Sequence, residues 1–150
     1  DMVDVVRTIY KALKTVCDEH VDVLKAPISN QNVLNPIRQY LLEALNKDTF
    51  KGVKTGPKRK YYRAVQTALG SIGAARQILF ESYKTINALR RNSLVDEKAK
   101  AQMQRVMLKG QTDAYDRVVY AKQQLEDALI LPSATHDIPA PGLGTKKFKR

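Results

Sequence analysis

Apolar residues recur along most of this chain at alternating spacings of four and three. In the first segment the repeating positions are Met2, Val6, Ile9, Leu13, Val16, His20 and Val23. This spacing places side chains on one face of an α-helix. It predicts an amphipathic helix over residues 3 to 26, about 35 Å long. Pro27 is expected to terminate it.

A second, shorter helix is predicted directly after a polar loop. Asn35 is a favoured N-cap residue, and Pro36 suits the first helical position because its missing N–H would be unpaired there anyway. The apolar positions that follow, every fourth residue from Ile37 to Leu45, indicate a short amphipathic helix.

Two long helices account for the rest of the periodic pattern. The third has apolar positions at Tyr61, Val65, Ala68, Ile72, Ala75, Leu79, Ser82, Ile86 and Leu89, which predicts a helix from about 58 to 91. The fourth has Met107, Gly110, Ala114, Val118, Ala121, Leu125 and Ala128, before Pro132 ends the pattern. Ser93 and Asp96 form a capping box in the short connection. The two helices are therefore expected to pack as an antiparallel hairpin of roughly 50 Å.

The pattern indicates an all-α fold. No alternating segment flanked by turn residues predicts a strand, and no period of 20 to 50 residues repeats. We predict an antiparallel four-helix bundle over residues 1–131, whose two long C-terminal helices extend beyond the shorter first pair. Residues 132–150 contain three prolines and two glycines without apolar periodicity, and predict an extended basic tail.

Composition narrows the class of protein. The chain has 150 residues with 43% hydrophobic, enough for one core, and a single cysteine, which excludes an internal disulfide framework. No apolar run approaches the roughly 18 residues of a membrane span, and no leader-like segment opens the chain. We expect a soluble protein, intracellular or virion-associated rather than secreted with disulfides.

The net charge of +11 is the one compositional extreme, and it is unevenly distributed. Residues 51–63 carry six basic groups and no acid, residues 64–93 add four against Glu81 alone, and the final KKFKR adds four more. Clustered cations of this kind indicate an anionic partner.

The start of the third helix is the candidate anion site. Thr55 or Gly56 is predicted to cap it, with Pro57 in the first turn and cations around free backbone N–H groups. A polar stripe opposite the apolar face extends this patch. We call it the basic stripe, and its positions are Arg59, Arg63, Gly70, Gln77, Lys84 and Arg91.

Small and aromatic residues near the stripe have two interpretations. Gly70 would let a phosphodiester approach closely, whereas Gly73 and Ala75 are more typical of close helix packing. Tyr62 could stack on a base or shield a phosphate, and Tyr61 is expected in the core. The predicted nucleic-acid-binding residues are Lys51, Lys54, Lys58, Arg59, Lys60, Tyr62, Arg63, Lys84, Arg91, Lys146, Lys147, Lys149 and Arg150.

No residue cluster predicts catalysis, a metal or a cofactor. Cys17 and His20 share a helix face, but two ligands do not make a metal site, and both fit the apolar repeat as core residues. Asp113 and Asp116 are interpreted as part of a charged face. The sequence GVKTGPK lacks the Lys-Ser/Thr of a phosphate-binding P-loop.

No base-reading module is visible, because zinc-finger, RNA-recognition and basic-zipper patterns are missing. The sequence therefore favours a non-enzymatic protein that coats or packages nucleic acid without sequence preference, DNA rather than RNA, and assembles with similar helical subunits into oligomers or filaments. In general design it resembles the small basic helical coat proteins of filamentous DNA viruses, which implies a nucleocapsid-like role.

A different class remains open as the alternative. The bundle is also compatible with a protein-interaction module, such as an adaptor or effector domain, whose basic surfaces bind an acidic protein. A third possibility is an anionic membrane surface, which the basic loop and tail would contact with Phe148 inserted.

Overall fold

α-Helices make up most of the described chain, which in this computed structural model comprises residues 1–48, 50–53, 55–92 and 96–130. The elements are α1 (Met2–Glu19), a π-helical turn (Asn30–Leu34), α2 (Asn35–Leu45), α3 (Arg59–Asn92) and α4 (Glu97–Leu129). These ranges contain no strand, so the predicted all-α class is confirmed. The predicted tail, residues 132–150, lies outside them.

The two long helices pack against each other in opposite directions. The Ser71 hydroxyl donates to the Arg117 carbonyl at 2.7 Å, while Ser82, further along α3, meets Gly110, which comes earlier in α4. This reversed order shows an antiparallel hairpin, as predicted. Each helix is about 50 Å long at 1.5 Å per residue.

The two shorter helices each pack along part of this hairpin. α1 runs antiparallel to α4, since the Tyr10 hydroxyl bonds the Glu126 carboxylate at 3.2 Å and the Tyr115 hydroxyl donates to the Cys17 carbonyl at 3.3 Å. α2 starts beside Arg76 of α3, and the chain after it returns toward the start of α3. The four helices thus form an antiparallel bundle.

The long hairpin extends beyond the bundle at its connected end. α1 ends near the level of Tyr115, and the π-helical turn before α2 lies near Arg76. Residues 80–92 of α3 and 97–112 of α4 therefore continue with no third or fourth helix from the described residues beside them. We call this segment the overhang; it is about 20 to 24 Å long.

A single core joins all the elements. It contains side chains with no measurable exposure from each helix, among them Leu13, Leu41, Leu79 and Leu125. The residues of the predicted apolar repeats on α3 and α4 supply most of its length. The repeat was therefore a reliable guide to which face of each long helix is buried.

The α3–α4 contact is close because small residues line it. A Cβ placed on Gly110 would lie 2.1 Å from Ser82 Oγ and 2.9 Å from Ser82 Cβ, well inside van der Waals contact. Gly73, which we predicted to permit close packing, has no atom within 4 Å of such a Cβ. That assignment was wrong. The two helices approach each other closely at Gly110 of α4, where a glycine faces Ser82 of α3.

The first helix is shorter than the predicted span of residues 3 to 26. It ends at Glu19 with His20 as the C-cap residue, well before Pro27. The Asp22 carboxylate accepts from the Leu24 N–H at 3.1 Å, and the Asp22 carbonyl accepts from the N–H groups of Lys25 and Ala26. These local bonds compete with helix continuation. Leu24, which lies in this turn, is consequently 76% exposed.

The predicted helix caps also need correction. Asn35 does not cap α2: its side-chain oxygen accepts from Arg76 Nε at 2.6 Å, and Ser29 caps the preceding π-helical turn instead. The capping role expected of Ser93 in α4 belongs to Asp96, whose carboxylate accepts from the Ala99 N–H at 2.8 Å. Ser93 itself lies outside the described residues.

Cys17 is a core residue, as predicted, whereas His20 is only half-buried. The His20 ring contacts the Ala26 carbonyl across the turn that follows α1. Burial raises the pKa of the Cys17 thiol to about 11. The thiol is therefore protonated at neutral pH, and thiolate chemistry is suppressed.

We predict that Gly110→Ala destabilises the protein by about 1 to 3 kcal/mol, because the new methyl group forces Ser82 and the two helices apart. Gly70→Ala is the matched control: its added Cβ meets nothing within 4 Å, and alanine favours a helix interior by roughly 0.5 to 1 kcal/mol. Urea denaturation should move the two midpoints in opposite directions. Equal shifts would contradict the close contact.

We predict that Cys17 resists alkylation in the folded protein. Its raised folded-state pKa keeps the thiol protonated, so iodoacetamide should react at pH 8 only as fast as the chain unfolds. Because the pKa of the thiol is higher in the folded than in the unfolded protein, the free energy of unfolding depends on pH. The contribution of Cys17 to stability is complete below the unfolded-state pKa of the thiol and is lost as the pH rises toward about 11. Rapid labelling under native conditions would contradict this assignment.

Candidate nucleic-acid interface

The basic connection between α2 and α3 is anchored by one aromatic side chain. Phe50 is 1% exposed, and its ring centroid lies 6.5 Å from that of Tyr62 on α3. Val53 packs partly against the same core. Gly52 and Gly56 have φ values of 76° and 88°, a left-handed conformation that favours glycine. The described part of this connection therefore follows a defined path across the end of the bundle.

α3 begins later than its sequence indicates. We predicted Thr55 or Gly56 as the cap, but the helix starts at Arg59, and the Arg59 N–H bonds back to the Gly56 carbonyl at 3.2 Å. The left-handed Gly56 turns the chain before it enters the helix. As a result, Lys58 precedes the helix and Arg59 occupies its first position.

Cations surround this helix start, and no acidic side chain among the described residues forms an ion pair with them. Lys58, Arg59, Lys60 and Arg63 are all exposed. The arrangement is electrostatically unfavourable for the isolated protein, because the cations repel one another and lie at the positive end of the helix dipole. An anion bound here would relieve both effects.

The other predicted cations have more varied environments. Lys51 pairs with Asp48 at 3.4 Å, so part of its charge is neutralised locally. Lys60 lies over the Tyr61 ring with its ammonium 5.1 Å from the centroid. Lys54 and the predicted tail residues lie outside the described part of the chain; the latter are Lys146, Lys147, Lys149 and Arg150.

A shallow cleft of about 360 Å³ opens at the start of α3 between Arg59, Tyr62, Arg63 and Gln66. The two guanidinium groups line it, and the Gln66 amide donates to the Tyr62 hydroxyl at 3.3 Å. Tyr62 is half-buried, and its ring packs near Phe50. The structure therefore gives Tyr62 a packing role, while its hydroxyl still reaches the cleft.

The sequence pattern missed a second cleft beside the first. It measures about 370 Å³, and its charged lining comes from Lys60 and Arg63 of α3 with Asp127 of α4. Asp127 lies more than sixty positions from Arg63 in the chain. Only the antiparallel helix pairing brings them together.

Gln66, which lines the first cleft one turn beyond Tyr62, could have been found from helical spacing.

The basic stripe occupies one exposed face of α3. All six of its positions are exposed, while Val65, Ile72 and Leu79 on the opposite side are fully buried. Gln77 donates to Glu81 at 2.8 Å, so the acid that α3 itself carries beside the stripe is held by a hydrogen bond. The stripe thus contains cations at both ends and uncharged residues in the middle.

The remaining acidic and metal-ligating side chains do not form a second candidate site among the described residues. Within the described ranges, no group of three His, Cys, Asp or Glu side chains could hold a metal ion. Asp113 pairs with Lys109 at 2.7 Å. Partial burial raises the pKa of the neighbouring Asp116, and the negative charge of Asp113 adds to the effect.

Comparison with known proteins gives no match: no protein-family model, no curated protein and no solved structure is significantly similar to this chain. Among the described helices, none combines the length and the apolar character that crossing a membrane requires.

We predict that Phe50→Ala lowers the free energy of unfolding by about 3 to 5 kcal/mol, because a fully buried ring is removed and a cavity remains. Tyr40→Ala is the matched control, since Tyr40 is 37% exposed and its truncation should cost much less. Thermal denaturation of both variants measures the difference. Similar losses would show that Phe50 does not anchor the connection.

Proposed function

We propose that this chain is a non-enzymatic protein that binds the phosphate backbone of nucleic acid with little sequence preference and coats or packages it. The observation that carries the proposal is the concentration of exposed cations on one face and one end of α3, with no described acidic partner. Phosphate contacts of this kind position a protein on a duplex without reading its bases.

The spacing of the stripe supports DNA as the ligand. Arg59 and Lys84 are separated by about 37 Å along the helix axis at 1.5 Å per residue. One turn of B-DNA advances about 34 to 36 Å. A duplex lying along α3 would therefore present phosphates in equivalent positions to Arg59 and Lys84.

The middle of the stripe is compatible with this arrangement. Gly70 carries no side chain, and no atom lies within 4 Å of the position its Cβ would take. A backbone could approach α3 there without a steric barrier. The cationic ends would supply the electrostatic attraction, and the uncharged centre would permit contact.

We predict that replacing Lys58, Arg59, Lys60 and Arg63 together by Gln reduces affinity for a 30-base-pair duplex by at least about tenfold, since several phosphate contacts are lost. The far-ultraviolet helical signal should persist, because the buried face of α3 supplies its stability. The matched control removes the same charge from the surface of α1 and the turn after it, through Gln at Arg7, Lys11, Lys14 and Lys25. It should change affinity only slightly.

Salt titration of the unaltered protein supplies the second readout. About six neutralised phosphates predict a slope near −5 for log affinity against log salt. Unrelated sequences at equal salt should agree within about tenfold. An affinity that does not change with salt concentration, or an equal loss of affinity in both quadruple variants, would exclude the proposed interface. Binding to anionic vesicles or to an acidic protein in place of DNA would favour the alternative class.

A further inference from the structure

The overhang presents an incomplete helical bundle. Phe80 lies four residues after Arg76, which contacts α2, and Leu108 lies seven residues before Tyr115, which contacts α1. Helical periodicity therefore places Phe80 and Leu108 on the faces that meet α2 and α1 further down. In the overhang those faces have no partner helix among the described residues. The two side chains are 53% and 43% exposed.

More apolar side chains lie at the base of the overhang. The turn after α1 crosses the hairpin there, from Cys17 beside α4 to Asn30, which lines a cleft with Phe80. Within that turn Val21 is 70% exposed and Leu24 is 76% exposed. Four of the five most exposed large apolar side chains in the described chain thus belong to this one region; the fifth is Tyr40 on α2.

The two ends of this surface carry opposite charge. At the base, the exposed residues include the acids Asp18, Glu19 and Asp22 against Lys25. At the far end of the hairpin the exposed charges are Arg90, Arg91, Asp96, Glu97, Lys98 and Lys100, an excess of basic residues. Asp18, Asp22 and Glu97 have lysine partners on their own chain, whereas Glu19 and Arg90 have no ion-pair partner among the described residues.

We propose that the overhang docks against the overhang of a second copy of this chain, in antiparallel orientation. The two hairpins would complete one four-helix bundle between the copies, with Phe80 and Leu108 buried. Antiparallel pairing places the basic end of each copy beside the acidic base of the other. The contact uses the same patch twice, as a two-fold symmetric dimer requires.

The available area fits a reversible dimer. A face about 22 Å long and two helices wide, with helix axes about 10 Å apart, gives roughly 450 Å² of projected surface per copy. Side-chain relief and the contact at the base bring the total burial to about 1,000 to 1,300 Å², the lower limit for a specific complex. We therefore expect dissociation near 10 to 100 μM, since small interfaces bind weakly.

This pairing goes beyond the proposed function and needs no nucleic acid. It overlaps the basic stripe at Lys84 and Arg91, which lie on the same side of α3 as Phe80, but not at the cations near the start of α3, so the two proposals can be tested separately. Sedimentation equilibrium of the nucleic-acid-free protein from about 5 to 500 μM, a range that brackets the expected dissociation constant, should show a monomer–dimer equilibrium. A monomer throughout this range would overturn the pairing and leave the phosphate-binding proposal intact.

The first pair of variants tests which surface is used. The double variant Phe80→Asp with Leu108→Asp should weaken dimerisation at least tenfold, because it places charge where the copies meet. Tyr40→Asp, at an exposed apolar site on α2, should leave dimerisation unchanged. A dimer that survives the double variant, or is lost equally in both proteins, would overturn the assignment.

A charge exchange tests the orientation and does not depend on altered apolar packing. Glu19→Arg and Arg90→Glu should each weaken the dimer several-fold, because each brings like charges together across the interface. The combined variant should recover most of the affinity, since the attraction is restored with its sign reversed. Losses that simply add in the combined variant would exclude the antiparallel arrangement.

Discussion

The close antiparallel contact between α3 and α4 determines the rest of the structure. It depends on small residues: Gly110 leaves room for Ser82, and the buried Ser71 hydroxyl bonds the Arg117 carbonyl across the interface. Because the two helices support each other along this contact, they extend past the shorter pair. The same contact gives α3 a fixed rotation about its axis, with one face against α4, one against α2 and one exposed to solvent.

That fixed rotation separates stability from surface charge. The fully buried side chains Val65, Ile72 and Leu79 hold α3 in place, so cations on its outer face can be concentrated with little loss of packing energy. The concentration still has an electrostatic cost at the first turn, where Arg59 and Lys60 oppose the helix dipole. Such a local conflict is typical of a surface shaped by function, since no folding requirement favours it.

Sequence periodicity was sufficient for the long helices and insufficient at their ends. Apolar repeats average over many residues, so the approximate span of α3 and its buried face were predictable. Individual ends depend on single contacts that the pattern does not contain. Asn35 has the sequence context of a cap, yet its side-chain oxygen accepts a hydrogen bond from Arg76 instead. Local hydrogen bonds to Asp22 compete with the continuation of α1. The candidate site follows the same rule: its cations were visible in sequence, whereas the neighbouring Asp127 required the tertiary fold.

The two proposed surfaces place different demands on the same helix. Phosphate binding needs an exposed basic face, and the basic stripe supplies one along α3, with Glu81 and Asp127 as neighbouring acids. Self-association needs apolar area and balanced charge, and the overhang has both. Since Phe80 and Lys84 lie one turn apart on the same side of α3, a paired overhang would cover the stripe at Lys84 and Arg91 and leave its first part, from Arg59 to Gly70, accessible. A two-fold dimer would then present two basic stripes that run in opposite directions. This arrangement suits a duplex, because its two strands are antiparallel and offer equivalent phosphates in both directions.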